Sequence, residues 1–240
     1  MVSSLKPFFC LYGGKWRVAH RLYPAPTRSV IIEPFAGAAG YSVRYAHLKV
    51  RLYDANPKIC ALWNYLIRVT PSEILGLPIV GNHVDDLHVV QEAEYLIGFW
   101  WNKASAEPHN MPSSRFKEGT RPNSHWGTVI RGRIARQVEY IRHWTITEAD
   151  YQTIENTNAT WFIDPPYNNS AGKHYSHQVG SYDDLAQFCL EREGQVIVCE
   201  QDGADWFPFT SIGRIMSNKG PRGKSTSAEA VWIREGSTSC

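Results

Sequence analysis

An apolar run, "TWFID", ends at Asp164 and passes directly into Pro165, Pro166 and Tyr167. Two consecutive prolines withhold two backbone N–H groups and fix two φ angles, so the acid and the aromatic ring sit on a stiff, extended exit. Rigidity at that place says that something is being positioned. Two further acids also end apolar runs: Glu33 before "PFAGAAG", and Asp54 before Ala55, Asn56 and Pro57. In open α/β sheets ligands bind beyond the carboxyl ends of the strands, so these acids are the residues to read for chemistry.

A glycine-containing turn after a first strand lets backbone approach a ligand closely. An acid at the end of the next strand, 21 residues beyond Glu33, is placed to accept hydrogen bonds from ribose hydroxyls. That is the geometry of an adenosine-containing cofactor. Gly37 and Gly40 serve equally for close helix–strand packing, and the dinucleotide pattern G-x-G-x-x-G is absent. An acid ahead of the glycines would repel a pyrophosphate. The reading therefore moves from a nicotinamide dinucleotide to S-adenosylmethionine, which carries an ammonium and a sulfonium.

The elements that must hold these residues follow from periodicity. "SVIIEPF" and "VRLYD" read as strands, with "AGYSVRYAHL" between them at helical spacing. "PKICALWNYLIRV" follows as a helix with Pro57 at its first position and Ile59, Leu62, Trp63, Leu66 and Ile67 on one stripe. Later come a strand "TWFID", a helix "DDLAQFCLERE", a strand "QVIVCE" and a last strand "AEAVWIRE". Strands alternating with helices argue for a mostly parallel sheet covered on both faces. From about residue 70 to 148 the alternation fails; a stretch rich in Trp, Asn, Pro and Ser gives way to helical spacing through Ile130, Ile134, Val138 and Ile141. This reads as an insertion, residues 71–144, in an α/β core made of 1–70 and 145–240.

A chain of 240 residues, 43% hydrophobic, has the length and composition of one buried domain with an insertion. No apolar run approaches the roughly 20 residues that cross a bilayer, and the N-terminus lacks the pattern of a cleaved signal, so a soluble cytoplasmic protein is expected. The five cysteines show no CxxC pair, and His174 and His177, in "HYSH", read as polar surface; no metal is expected. The formal charge is only +2, but Met111 to Trp144 carries seven basic residues against two acids, and Arg214 to Lys224 carries four and no acid. Each patch is either a solvated face or a nucleic-acid contact.

"YGGK" (Tyr12 to Lys15), "EPFAGAAG", "DANP" (Asp54 to Pro57) and "DPPY", in this order, resemble the alpha group of DNA adenine N(6)-methyltransferases, which includes the Dam family. The resemblance covers roughly residues 10–70 and 145–235. It implies a Rossmann-like class I methyltransferase core with an antiparallel last strand, and a mainly helical target-recognition region in the insertion. It implies a catalytic tetrad of Asp164, Pro165, Pro166 and Tyr167: Asp164 and the Pro165 carbonyl accept from the target amine while Tyr167 stacks on the flipped base. S-adenosylmethionine would lie against Tyr12, Gly13, Gly14, Lys15, Glu33, Phe35, Gly37 and Asp54, with Asp150 and Tyr151 near its adenine; a helix cap by Asp150 is the equal alternative. Duplex DNA would meet Arg115, Lys117, Arg121 and Arg131 of the insertion and Lys219, Arg222 and Lys224 of a basic hairpin, with Trp and Asn residues reading bases or filling an emptied stack. The family's FxGxG appears here as Phe35 to Ala39 without its second glycine, Gly40 falling one place late, so a differently shaped turn is expected.

The resemblance further implies a monomer in a prokaryotic or phage-infected cell. Two rival readings stand beside it: methylation of adenine in RNA, and a DNA-binding module that has lost turnover. Related tetrads that serve cytosine N(4) or protein glutamine commonly begin with Ser or Asn; the acid at 164 favours adenine.

Overall fold

The computed structural model describes residues 5–103, 105–117, 124–170, 172–217 and 225–236. One seven-stranded sheet organises them, in the order β3-β2-β1-β4-β5-β7-β6. The strands are β1 (Val30–Glu33), β2 (Lys49–Asp54), β3 (Thr145–Glu148), β4 (Ala159–Ile163), β5 (Gly194–Gln201), β6 (Thr210–Ser217) and β7 (Ser225–Arg234). β3, β2, β1, β4 and β5 run parallel; β7 is antiparallel to both β5 and β6. This is the Rossmann-like sheet of class I S-adenosylmethionine-dependent methyltransferases, including the reversed last strand.

The strand order explains where a ligand can sit. From β1 the chain moves outward to β2 and β3, then returns to place β4 on the other side of β1. Between β1 and β4 the connections diverge and leave a crevice at the carboxyl ends of the strands. Glu33 ends β1, Asp54 ends β2, and Asp164 follows the last residue of β4. The apolar sequence forces this arrangement: all five residues of β4 are buried, as are six of the eight in β5, so neither strand has a solvent face.

The helices are α1 (Trp16–Leu22), α2 (Pro57–Arg68), α3 (Pro71–Gly76), α4 (Gln91–Trp101), α5 (Ser114–Lys117), α6 (Thr128–Gln137) and α7 (Tyr182–Glu191). α2 starts where the sequence places it, with Pro57 in its first turn and the Asn56 side chain accepting from the Lys58 amide at 3.0 Å. The segment after β1 differs from expectation. It forms only a 3-10 turn, Ser42–Tyr45, instead of a helix. Its apolar spacing is real, but Tyr41 is used to stack on Phe162, rings 4.3 Å apart and 6° from parallel, and to donate to the Pro24 carbonyl at 2.8 Å. The 3-10 turn packs against α1, which apolar periodicity had not signalled.

The region 71–144 shares the core of the rest rather than standing apart from it. Trp100, Trp101, Trp126 and Trp144 are all buried in the cluster that also holds Phe8, Phe9, Trp63 and Leu66. These four indoles are packing residues, which corrects the expectation that tryptophans here fill an emptied base stack. Trp100 donates to the Phe8 carbonyl at 2.8 Å and Trp126 to the Pro78 carbonyl at 2.7 Å, so their polar edges are satisfied inside the fold. Cys60, Cys189 and Cys199 are buried free thiols, and Cys10 is half-buried. Among the described residues no helix is long and apolar enough to cross a membrane.

Candidate active site

One cleft lies over the carboxyl ends of β1, β2 and β4, with about 930 Å³ of free space out to its open mouth. Every residue that the sequence assigned to the cofactor borders it: Tyr12, Gly13, Gly14, Lys15, Glu33, Phe35, Gly37, Asp54, Asp150 and Tyr151. Asp164 and Pro166 border it as well, so the stiff corner after β4 opens on the same space. Pro165 and Tyr167 are not among the residues that border it, although the Tyr167 ring adjoins the lining residue Lys15.

The turn after β1 is fixed by its neighbours. Asp54 accepts from the Gly37 amide through Oδ2 and from the Asn56 amide through Oδ1, each at 2.9 Å. Burial raises the Asp54 pKa against these two donors. Each carboxylate oxygen has a second acceptor site, so these bonds orient Asp54 without exhausting it. The Gly37 carbonyl in turn accepts from the Trp63 indole at 2.8 Å.

The altered glycine pattern has a clear structural meaning. Gly37 and Ala39 both hold left-handed backbone, at φ 45° and 46°. The turn therefore keeps a left-handed residue where the family's second glycine stands, and alanine bears the strain there. Gly40 answers a different need: a Cβ on it would lie 2.6 Å from the Trp16 nitrogen and 2.9 Å from the Lys15 nitrogen. Only glycine allows the start of α1 to lie against the turn, and that contact places Lys15. Gly40→Ala is expected to lower the melting temperature by about 5 °C, roughly 2 kcal/mol of overpacking in a chain this size. It should also weaken cofactor binding about tenfold, whereas Ala39→Gly should leave binding within twofold; calorimetry and thermal melts check both.

Lys15 is nearly buried and reaches across the cleft floor. Its Nζ lies 2.8 Å from Asp164 Oδ1, donates to the Gly13 carbonyl at 3.0 Å, and stands 4.7 Å from the centre of the Tyr167 ring. Burial is the largest single influence and works against the ammonium, but the Asp164 carboxylate, with Glu229 and Cys199 beyond it, holds the lysine above its usual range. Burial likewise pushes the Asp164 carboxyl up, against the pull of Lys15. Among the described residues Glu33 has no such cation. Its Oε1 accepts from the Ser42 amide at 2.8 Å, and burial pushes its pKa up to about 8. A buried acid without a counter-ion has the capacity to pair with a ligand cation.

The chain beyond Tyr167 folds back over the cleft, a contribution the sequence did not signal. Tyr175, Ser176, His177 and Gln178 line the cleft. The Tyr175 hydroxyl donates to the Tyr12 carbonyl at 2.8 Å, and Ser176 donates to Glu107 at 2.9 Å. Glu107 also receives the Lys58 ammonium at 2.9 Å, tying this strap to α2. His177, read above as polar surface, is exposed and also lines the cleft. "HYSH" gives no periodic signal because the segment is held by hydrogen bonds and not by an apolar stripe.

Asp150 caps a turn and also borders the cleft. Its Oδ1 accepts from the Gln152 amide at 2.9 Å, at the start of the 3-10 turn Tyr151–Thr153. The adjacent Tyr151 ring packs 5.4 Å from that of Phe35.

The basic residues divide. Arg131 donates to the Leu77 carbonyl at the end of α3, Arg133 to the Pro7 carbonyl, and Arg142 to the Ile67 and Val69 carbonyls at the end of α2. Part of the positive stretch therefore caps helix C-termini, where carbonyls lack partners and the dipole favours cations. Arg115 and Lys117 stand on the one-turn helix α5. Arg121, Lys219, Arg222 and Lys224 lie outside the described residues.

No family model matches the chain, and no curated protein matches it. Among solved structures it is similar to a conserved hypothetical protein from Streptococcus pyogenes, at 11% identity and a TM-score of 0.37, covering 86% of each chain. It is similar also to the 23S rRNA methyltransferase ErmE, at 12% identity and a TM-score of 0.39, covering 95% of this chain and 69% of that one. The fold assignment rests on the strand order and directions described above.

Proposed function

We propose that this chain is a methyltransferase that moves the methyl group of S-adenosylmethionine to the exocyclic N(6) amine of an adenine turned out of duplex DNA. The observation that carries the reading is the shared cleft: the Asp164 corner opens on the same space as Glu33, Gly37 and Asp54. An amine acceptor and a cofactor seat side by side are what a direct transfer needs.

The residues present fit the cofactor. Glu33 offers a buried carboxylate to an ammonium, Asp54 keeps acceptor capacity for ribose hydroxyls, and Phe35, Asp150 and Tyr151 border the far part of the cleft. Bound there, S-adenosylmethionine supplies an electrophilic methyl carbon on a cationic sulfur. The chain's own task is to present the amine. Asp164 accepts one N–H bond and the Pro165 carbonyl the other, which favours a pyramidal nitrogen with its lone pair free to attack in line. As the nitrogen gains a carbon it becomes cationic, and the Asp164 carboxylate stabilises that charge and takes up the proton or passes it to water. No covalent intermediate with the enzyme is required. A base within a duplex cannot reach this corner, so the base must leave the stack, and the Tyr167 ring compensates for the stacking lost.

Incubating the protein with radiolabelled cofactor and either unmethylated bacterial DNA or total RNA tests the reading. Label is expected in DNA, on N(6) of adenine, at a short repeated sequence that methylation-sensitive sequencing then maps. Label confined to RNA would replace the substrate class; cofactor binding without transfer to either would remove the activity.

A further inference from the structure

The Tyr167 hydroxyl donates to Glu229 Oε2 at 2.6 Å. Glu229 lies on β7 and is only 5% exposed. An acid in the middle of an apolar strand, "AEAVWI", is costly to bury unless a donor holds it. The tyrosine is one such donor: burial first, and the nearby carboxylates next, hold its phenol well above the usual range, so the hydroxyl keeps its proton.

The next residue is gripped in the same way. The Asn168 amide donates to Glu200 Oε2 at 3.1 Å, and the Trp206 indole donates to the same oxygen at 2.9 Å. Gln201 is paired with Glu229, and Glu200 with Ala230, in the ladder between β5 and β7. By the pleat, Glu200 and Glu229 therefore stand on opposite faces of the sheet. The chain leaving the corner is fastened from both sides, at the ring by Glu229 and at the backbone by Glu200. Pro166 is fixed as well, its carbonyl accepting from Tyr182 at 2.6 Å.

We infer that Glu229 is a positioning residue for methyl transfer: it holds the Tyr167 phenol, and so fixes the ring face that receives the target base relative to the Asp164 acceptor. Two prolines stiffen the backbone up to the tyrosine but leave its side-chain torsions free. A ring anchored at its hydroxyl has lost that freedom before the base arrives, and the amine then meets Asp164 in one geometry. Glu229 reaches neither base nor cofactor; it acts through Tyr167.

The inference rests on the transferase reading, and the experiment separates the two. Wild type, Glu229→Ala, Glu229→Gln, Tyr167→Phe and the Glu229→Ala/Tyr167→Phe double variant are compared in steady-state transfer to DNA, with cofactor affinity measured by calorimetry. Glu229→Ala is expected to lower kcat by about tenfold to a hundredfold, with the KM for DNA and the cofactor Kd each within threefold. Glu229→Gln keeps an acceptor oxygen and should recover most of the rate. Tyr167→Phe keeps the ring but not the anchor and should fall as far as Glu229→Ala, and the double variant no further. Wild-type rate in Glu229→Ala, multiplicative losses in the double variant, or cofactor affinity falling in step with kcat would each overturn the assignment. A folded Glu229→Gln as slow as Glu229→Ala would do so too. A wild-type protein that transfers nothing would instead remove the transferase reading, and this inference with it.

Discussion

Asp164→Ala is expected to reduce methyl transfer by about a thousandfold or more, the scale of losing a principal charge-stabilising contact in a dry site, while the cofactor still binds. The structure adds a consequence that the motif alone does not carry. Lys15 lies 2.8 Å from Asp164 and is 7% exposed at its side chain, so removing the carboxylate leaves a buried ammonium without its counter-charge. Breaking such a pair from one side costs about 3 kcal/mol or more, so the variant should also melt markedly lower. Stability and chemistry separate in the double variant Lys15→Met/Asp164→Ala, which removes both charges. It should recover most of the lost melting temperature and none of the activity. If the double variant regained transfer, Asp164 would be acting on the lysine and not on the substrate amine. If Asp164→Ala lost cofactor binding together with turnover while remaining folded, the residue would belong to the cofactor seat.

The acids that border the candidate site were legible in the sequence, as was much of the strand-and-helix order that carries them. Glu33, Asp54 and Asp164 announce themselves because each interrupts an apolar run, and the end of a buried strand is where the open sheet presents its ligand edge. α2 was equally plain, since Pro57, Asn56 and one apolar stripe all agree on it. Three things were not legible. The segment 39–48 has helical spacing but makes a single 3-10 turn, because Tyr41 is committed to Phe162 and α1 covers it. The tryptophans of 71–144 were read as residues that fill an emptied base stack; burial of α4 depends on partners such as Phe8 and Phe9, about ninety residues earlier in the chain. The strap over the cleft depends on Glu107 meeting Ser176 and Lys58, a pairing that no local pattern encodes. Gly40 shows the same limit at one residue. Its displacement from the usual motif was visible, but its purpose appears only when the Lys15–Trp16 backbone is seen against it.

Cofactor affinity is expected to rise steeply with pH from 6 to 8, and Glu33 is the cause. Its carboxyl is buried with the Ser42 amide as donor and, among the described residues, no cation beside it, and burial pushes its pKa up to about 8. Below that pH the free protein holds Glu33 protonated, with a pKa raised above the unfolded value. Its contribution to stability is therefore greatest at low pH and fades as pH rises from the ordinary glutamate range towards 8. A ligand ammonium reverses this preference, because the ionised carboxylate is the form that pairs with it. Binding below pH 8 must then expel one proton, so affinity should gain up to about tenfold per pH unit until Glu33 is ionised without help. Calorimetry with S-adenosylhomocysteine, which keeps the ammonium but cannot transfer a methyl, measures both the affinity and the proton released, the latter from the dependence of the heat on buffer ionisation enthalpy. Glu33→Gln should bind more weakly at pH 8 by about a hundredfold, the scale of a lost charge-assisted bond, and show no pH dependence between 6 and 7. Affinity constant within twofold from pH 6 to 8, with no proton released, would mean that the ammonium is held elsewhere. The acid that closes β1 would then be a structural cap on the Ser42 turn.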